Sequence, residues 1–333
     1  MGSENGKTIT LMQSKIQKIG GDASFRKFYR ITYNKKSKII IFAKKEKYQN
    51  LIAYSAINNF LKRNKILAPK LFNQNYSKGI MIIEDFGNLT FYKFLLKKKN
   101  RFKSYKKLID LLIKIQKIKP EKKIKNTVVG FHTLKEYTNQ TLHKESDLFF
   151  DWYLPMFLNK KNSLGIKKKT KKILNEIYKK LNFPNSYFVH RDYHVQNLMK
   201  VGKRIGIIDS QDALIGNPAY DLASLIDDVR IRNSNKLKKQ IYNYYLKKNH
   251  NMYRFQSKEF LEDFNILSVQ RCLKIIGIFS RLYKRDKKKI YLKLIPYTWT
   301  LLELRMRNKI FSDLRKVLNI NIKKRTRKMS IFK

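Results

Sequence analysis

The chain has 333 residues, 43% of them hydrophobic, enough for a substantial core in one large domain or two lobes. No run approaches the roughly 20 apolar residues that a membrane-crossing helix needs, no apolar signal core follows Met1, and the lone cysteine, Cys272, excludes an intrachain disulfide and points to a reducing cytoplasm. The formal net charge of +51 raises nucleic acid as a partner, but lysines spread through every kind of element beside abundant Ile and Asn, as an A/T-rich genome would impose, and no RNA-binding motif accompanies them, so no specific nucleic acid is expected.

In chain order, residues 1–12 read as a flexible tail. Gly2-Ser3-Glu4-Asn5-Gly6-Lys7-Thr8 imitates a phosphate-binding P-loop, but its first glycine is one residue too close and no strand precedes it. Ser14 to Ile19 and Lys27 to Tyr33 read as strands joined by Gly20-Gly21-Asp22-Ala23-Ser24. That loop is either a plain hairpin turn or one whose glycines admit close backbone approach and whose amides face phosphates. Arg26, just beyond it, is a solvated strand arginine or a phosphate contact. A strand over Lys38 to Ala43 and a helix from Gln49 to Arg63 follow, the helix carrying an approximate stripe of Leu51, Ile52, Ser55, Ile57 and Phe60. Ile80 to Ile83 is the last strand of this sheet-rich lobe.

Beyond it the pattern turns helical. Leu108, Leu111, Leu112, Ile115 and Ile118 recur at helical spacing until Pro120, which predicts a helix beneath the hairpin described next. Lys119 to Lys125 reads as a charged connector. Tyr187 to Val189 is a short β-prone run, and Leu198 to Val201 and Arg204 to Ile208 flank Gly202-Lys203, which fits a two-residue hairpin turn. Phe260 to Arg281 is a long amphipathic segment carrying Arg271, Lys274 and Arg281. The run Lys323 to Lys328, within a tail over 321–333, reads as frayed and basic.

The hairpin carries the chemistry. Pairing outward from its turn brings Asn197 beside Ile208 and Asp209, so two oxygen-bearing side chains meet at its open end. Such donors suit Mg²⁺, which is commonly held by one or two protein groups and by substrate phosphates. Asp192, in the loop upstream, is placed to accept or orient the hydroxyl that attacks a γ-phosphorus. Alone, each residue is more often a turn former or cap; the ordered set of Asp, Asn and strand-end Asp is what makes phosphoryl transfer the expectation.

His190-x-Asp192-x-x-x-x-Asn197, followed by a hydrophobic strand ending in Asp209, resembles the catalytic signature of protein-kinase-like folds, and the continuation Asp209-Ser210-Gln211-Asp212 through Gly216-Asn217-Pro218 and Asp221 resembles the aminoglycoside phosphotransferase-type family. Gly21 to Arg26, Asp151 to Pro155 and the stretch Gln270 to Asp286 are similar to its bacterial N-acetylmuramate/N-acetylglucosamine anomeric kinases. The resemblance spans nearly the whole chain. It implies a bilobal α+β fold, with a small antiparallel-sheet lobe (residues 13–85) and a larger, mainly helical lobe (residues 86–320), using ATP and Mg²⁺ on a small-molecule acceptor. It gives Asp192 the catalytic role, Asn197 and Asp209 the metal, residues Gly20, Gly21, Asp22, Ala23 and Ser24 the phosphates, and Glu84 and Phe86 the inter-lobe hinge beside adenine. Asp221 corresponds to a structural residue that holds the catalytic loop, and His190 is read as a brace for the loop backbone.

Several readings stay open. A phosphate-binding lysine is expected on the third strand, but Lys44 and Lys45 come only at its very end and the next helix has no internal Glu to pair with one, so Lys44 is a phosphate contact or an ordinary surface residue. His194 supports the loop or touches the acceptor; Gln211 and Asp212 meet the acceptor or anchor a turn. Asp151 and Trp152 bind a sugar or belong to surface and core. Arg271, with Lys274 and Arg281, reads a lactyl carboxylate or forms a solvated basic face. Asp85-Phe86-Gly87 spells the metal-binding tripeptide of protein kinases but precedes the catalytic loop, so Asp209 is assigned the metal. Another small-alcohol kinase, for an aminoglycoside or choline, shares the catalytic expectation. A nonenzymatic nucleic-acid-binding protein explains only the charge.

Overall fold

The structure is a computed structural model and describes residues 15–20, 26–44, 49–126, 128–249 and 256–328. The amino-terminal lobe is an antiparallel sheet of β1 (Lys15–Ile19), β2 (Lys27–Tyr33), β3 (Lys36–Phe42), β4 (Leu71–Asn75) and β5 (Ile80–Glu84), in the order β1-β2-β3-β5-β4. Ile39 stands opposite Ile83 and Ile41 opposite Met81, and the two-residue period of a strand turns all four to one face. That face packs on Leu51, Ile52 and Tyr54 of α1 (Gln49–Arg63) in one buried cluster. Nothing in the polar Leu71-Phe72-Asn73-Gln74-Asn75 predicts β4, which is largely solvent-facing and joins β5 through an irregular register between Leu71 and Asn73.

The larger lobe begins with α2 (Phe91–Leu96) and α3 (Phe102–Gln116) and continues through β6 (Lys123–Asn126), β7 (Gly130–Thr133), α4 (Asn139–Leu148) and α5 (Lys160–Tyr178). Then come β8 (Tyr187–Val189), the hairpin β9 (Leu198–Val201) and β10 (Arg204–Ile207), and β11 (Leu214–Gly216), which pairs with β8. Helices α6 (Ala219–Ile226), α7 (Asn235–Lys248), α8 (Ser257–Asp286), α9 (Ile295–Arg305), α10 (Ser312–Asn321) and α11 (Lys324–Lys328) complete the lobe. Its axis is α8, which buries Phe264, Leu267, Leu273 and Ile276 on several faces, as a helix at the centre of a core must. Gly277 lets it approach: a Cβ there would lie 2.3 Å from the backbone carbon of Leu148, where α4 passes into the π-helical turn Phe149–Tyr153. No helix of the described residues is long and apolar enough to cross a membrane.

Four expectations change. The connector over Lys119 to Lys125 is partly a strand: β6 pairs with β7, buries Ile124 and Asn126, and the Asn126 amide donates to Ser55 Oγ at 2.9 Å. Helix α3 packs behind the loop preceding the hairpin, with Tyr193 Oη donating to the Leu108 carbonyl at 2.7 Å, whereas α2 and the turn before it lie against the hairpin itself through Tyr92 N to Val195 O and Lys200 N to Leu89 O. The basic run ending at Lys328 is not frayed, because Arg327, only 3% exposed, stacks 4.9 Å from the Trp299 ring, donates to the Leu318 and Ile322 carbonyls and pairs with Glu303. The basic face of α8 is not solvated: Arg271 and Lys274 are 6% and 8% exposed and point into the lobe.

Candidate active site

The segment between β8 and β9 is a loop held by its own polar groups, by the side chains of His190 and Asn197 and by the backbone N–H groups of His190 and Arg191. The Asp221 carboxylate at the start of α6 accepts from the backbone N–H groups of His190 (2.6 Å) and Arg191 (2.9 Å), which fixes Arg191 in the left-handed region at φ 77°. Burial raises the Asp221 carboxyl to about 6, against the opposing pull of His190 and the two N–H donors. The His190 imidazole bonds the Ile208 carbonyl through Nε2 at 3.1 Å, bracing the loop against the end of the hairpin. Asn197 closes the loop, its side-chain amide donating to the Asp192 carbonyl at 3.1 Å while Ile208 N donates to the Asn197 carbonyl at 3.0 Å. Asp209 follows in the left-handed conformation, φ 65°, which turns the chain away from the strand direction just where its carboxylate is needed.

Two clefts meet there. One, of about 480 Å³, lies between the lobes, with Ile39 and Ile83 on the sheet side and Met199 and Ile208 on the hairpin side, an apolar slot suited to a flat base. Glu84 and Phe86 line it, and Phe86 can do so only because β10 carries Gly206, where a Cβ would lie 2.6 Å from the Phe86 ring. The other, of about 250 Å³, is lined by Asp192, His194, Arg230, Arg271, Lys274 and Arg281, among others. Arg26, Asn197 and Asp209 border both.

The Asp192 carboxylate accepts no hydrogen bond among the described residues and faces the smaller cleft. Burial would raise its pKa, but Lys274, His194, Arg271 and Arg191 together hold it well below the usual carboxylate range. Burial and Arg230 push His194 itself down to about 3, leaving it uncharged at neutral pH, so Lys274 and the two arginines carry that effect. An ionised carboxylate surrounded by fixed positive charge is a weak base, suited to orienting an acceptor hydroxyl and receiving its proton late, as the bond to phosphorus forms. Asn197 and Asp209 fit Mg²⁺: the Asn197 amide nitrogen is committed to Asp192, leaving its oxygen, and the pair supplies two hard donors open to both clefts. The described residues contain no cluster of three His, Cys, Asp or Glu side chains that would suit a different metal.

A phosphotransferase enzyme family model matches residues 15–255, which include the sheet, the catalytic loop and the hairpin. The chain belongs to this family. It is 29% identical over 286 residues to an N-acetylmuramate/N-acetylglucosamine kinase of Pseudomonas aeruginosa, covering 85% of this chain and 81% of the relative. It is 27% identical over 281 residues to a kinase of the same name from Neisseria meningitidis serogroup B, covering 83% and 80%. In fold it is similar to a Plasmodium vivax ethanolamine kinase, with a TM-score of 0.61 at 14% identity, covering 91% of this chain and 85% of the other. The fold is therefore the bilobal, kinase-like α+β architecture.

Within this phosphotransferase, the candidate residues separate. Asp192, His194, Asn197, Asp209, Gln211, Asp212 and Arg271 come together around the smaller cleft, and Gly20, Glu84 and Phe86 line the larger one. Gly21, Asp22, Ala23 and Ser24 lie outside the described residues. Lys44 is exposed and borders neither cleft. Asp151 is exposed and accepts from Lys167 at 2.8 Å, and neither it nor Trp152 lines either cleft; the neighbouring Tyr153 is core, accepting from Trp299 Nε1 at 3.0 Å. Asp85 is structural, bound by Arg30 at 2.5 and 2.9 Å. Sequence reasoning missed Arg230 and, above all, Glu145. Glu145 is 5% exposed, pairs with Lys274 at 2.8 Å and with Arg191, and accepts from Gln270 and Tyr137, so one carboxylate orients two of the cations around Asp192. A lone Glu in a polar helix gives no local signal of that role.

Proposed function

We propose that this chain transfers the γ-phosphoryl group of ATP to the anomeric hydroxyl of a cell-wall amino sugar, N-acetylmuramate or N-acetylglucosamine, as a cytoplasmic step of peptidoglycan recycling. The observation that carries this reading is the Asp192 carboxylate, ionised and facing a cation-lined acceptor cleft that abuts a base-sized slot at Asn197 and Asp209. Mg²⁺ bound by Asn197 and Asp209 would supply positive charge to the β and γ phosphates. The acceptor oxygen bonds to the γ-phosphorus as the bond from that phosphorus to the β–γ bridging oxygen breaks. The hydroxyl proton passes to Asp192, and ADP departs with the bond's electron pair.

The acceptor cleft also bears on which alcohol it takes. Its lining sets Arg26, Arg230, Arg271, Lys274 and Arg281 against Asp192, Asp209 and Asp212, with Lys274 and Arg230 also paired to Glu145 and Asp228, so the charge left over for an acceptor is that of Arg271 and Arg281, which suits a neutral or anionic alcohol better than the ammonium groups of choline or an aminoglycoside. Arg281 has no hydrogen-bond or ion-pair partner among the described residues, its Nε is buried, and burial and Arg285 lower its pKa. A carboxylate in the cleft would satisfy it, and the lactyl group of N-acetylmuramate is one. The names of the two bacterial relatives support the same acceptor class. Incubation with ATP and each of N-acetylmuramate, N-acetylglucosamine, choline and an aminoglycoside, followed by phosphorus NMR of the product, should give a sugar 1-phosphate. Phosphorylation of the cationic alcohols alone would sink the proposal.

A further inference from the structure

The kinase pattern asks for a cation beside the transferring phosphoryl group, held by a carboxylate on the helix after the third strand. Among the described residues neither stands at the usual place: Lys44 is exposed, and α1 contains no Asp or Glu. Instead α1 turns polar groups toward the residues after Asp209, with Asn58 Oδ1 accepting from Ser210 Oγ at 2.7 Å. A buried cation stands instead at the foot of β2. Arg26 is 7% exposed, donates from Nη2 to Asp209 Oδ1 at 2.5 Å and from Nη1 to Gln211 Oε1 at 2.9 Å, and has its guanidinium 5.4 Å from the Phe28 ring. With Asn197 and Asp209, it borders both the nucleotide slot and the acceptor cleft.

We infer that Arg26 is the phosphate-binding cation of this phosphotransferase, pairing with Asp209 when no nucleotide is bound and with the γ-phosphoryl oxygens of bound ATP during transfer. The inference rests on the ATP reading above but not on the identity of the acceptor. A guanidinium presents its donors in a planar fork that matches phosphate oxygens two at a time, so it can serve from a strand without a partner on α1. Its stacking on Phe28 and its bond to Gln211 fix the plane of that fork. Neutralising Asp209 before nucleotide arrives also removes a repulsion that the triphosphate would otherwise meet.

The test measures binding of ADP and ATP by calorimetry, and turnover as ADP release, for the unaltered protein and for Arg26→Ala, Arg26→Lys and Lys44→Ala. With Arg26→Ala, ATP affinity should fall by about tenfold or more and ADP affinity by less than about threefold, the difference being one charge-assisted contact to the γ-phosphate. Its kcat should fall on the order of 10²–10³-fold, the loss expected for a positioned transition-state donor. Arg26→Lys keeps the charge but loses the fork, and should recover ATP binding more than kcat; it also serves if the alanine variant does not fold. Lys44→Ala should bind ATP within about twofold of the unaltered protein, as expected for an exposed side chain. Equal losses for ADP and ATP would reduce Arg26 to a structural partner of Asp209 and overturn the inference, as would normal turnover by Arg26→Lys or a loss that follows Lys44 instead. No ATP binding by the unaltered protein would overturn the ATP reading and the inference with it.

Discussion

Replacing Glu145 with Gln should destabilise the support of the catalytic loop through its two cation partners, Lys274 and Arg191. The side chain is buried, pairs with Lys274 at 2.8 Å and accepts from Arg191 Nε at 3.0 Å and Gln270 Nε2 at 2.9 Å. Burial disfavours its charge, yet Lys274 and Arg191 outweigh that and draw the carboxyl from 4.5 down to about 2. A shift of that size corresponds to about 3 kcal/mol of stability, in line with the roughly 3–5 kcal/mol expected when one partner of a buried ion pair is removed and the others remain charged. Because the carboxyl is depressed in the folded state, its contribution is complete above pH 4.5 and is lost as pH falls toward 2. Urea unfolding at pH 7 should therefore find Glu145→Gln about 3 kcal/mol less stable than the unaltered protein, and the gap should narrow to roughly half at pH 3. A gap under about 1 kcal/mol at pH 7, or one that does not change with pH, would refute the reasoning that this carboxylate holds the cations around Asp192.

Three further outcomes are expected at the site itself. Asp192→Asn should lower kcat by about 10²–10⁴-fold while leaving ATP affinity largely intact in calorimetry, since it removes the proton acceptor and not a nucleotide contact; normal turnover would remove Asp192 from the mechanism. Asp209→Asn should abolish the Mg²⁺ dependence of ATP binding, and an unchanged Mg²⁺ titration would count against its assignment. Arg281→Ala should raise KM for N-acetylmuramate by about tenfold, the worth of one charge-assisted contact, with KM for N-acetylglucosamine unchanged; equal effects on both sugars would show that Arg281 does not read the lactyl group.

The parts of the fold legible in the sequence were those with strong local codes. Apolar patterning gave β2 and α1 their observed bounds, and Gly202-Lys203 set the β9–β10 register, which put Asn197 beside Ile208 as the spacing required. What stayed illegible depends on contacts far apart in the chain. Strand β4 is polar, and its pairing with β5 is not encoded by any alternation of its own. Lys274 reads as a surface lysine until Glu145, more than a hundred residues earlier, is found against it. Arg327 looks like part of a solvated tail until Trp299 offers a face to stack on. In each case the residue type suits water and a distant partner overrides it, a competition that neither propensity nor periodicity records.

The same competition gives the net charge a meaning that composition alone does not. With 75 Lys and Arg against 24 Asp and Glu, carboxylates are scarce, and several of them are spent on buried or partly buried cations. Asp85 holds Arg30, Glu145 holds Arg191 and Lys274, Asp227 holds Lys238 and Arg305, and Glu303 holds Arg327. Taking a cation out of water without such a partner is costly, and two side chains, buried Arg271 and half-buried Arg281, stand apart from these pairs. Arg271 has its hydrogen bond to a carbonyl, that of Arg191, and Arg281 has no partner among the described residues. Both line the acceptor cleft beside Asp192. The excess of base over acid is thus uninformative on the surface, where water solvates it, and specific at this cleft, where Arg271 acts on the Asp192 carboxylate and Arg281 is left without an anion of its own among the described residues.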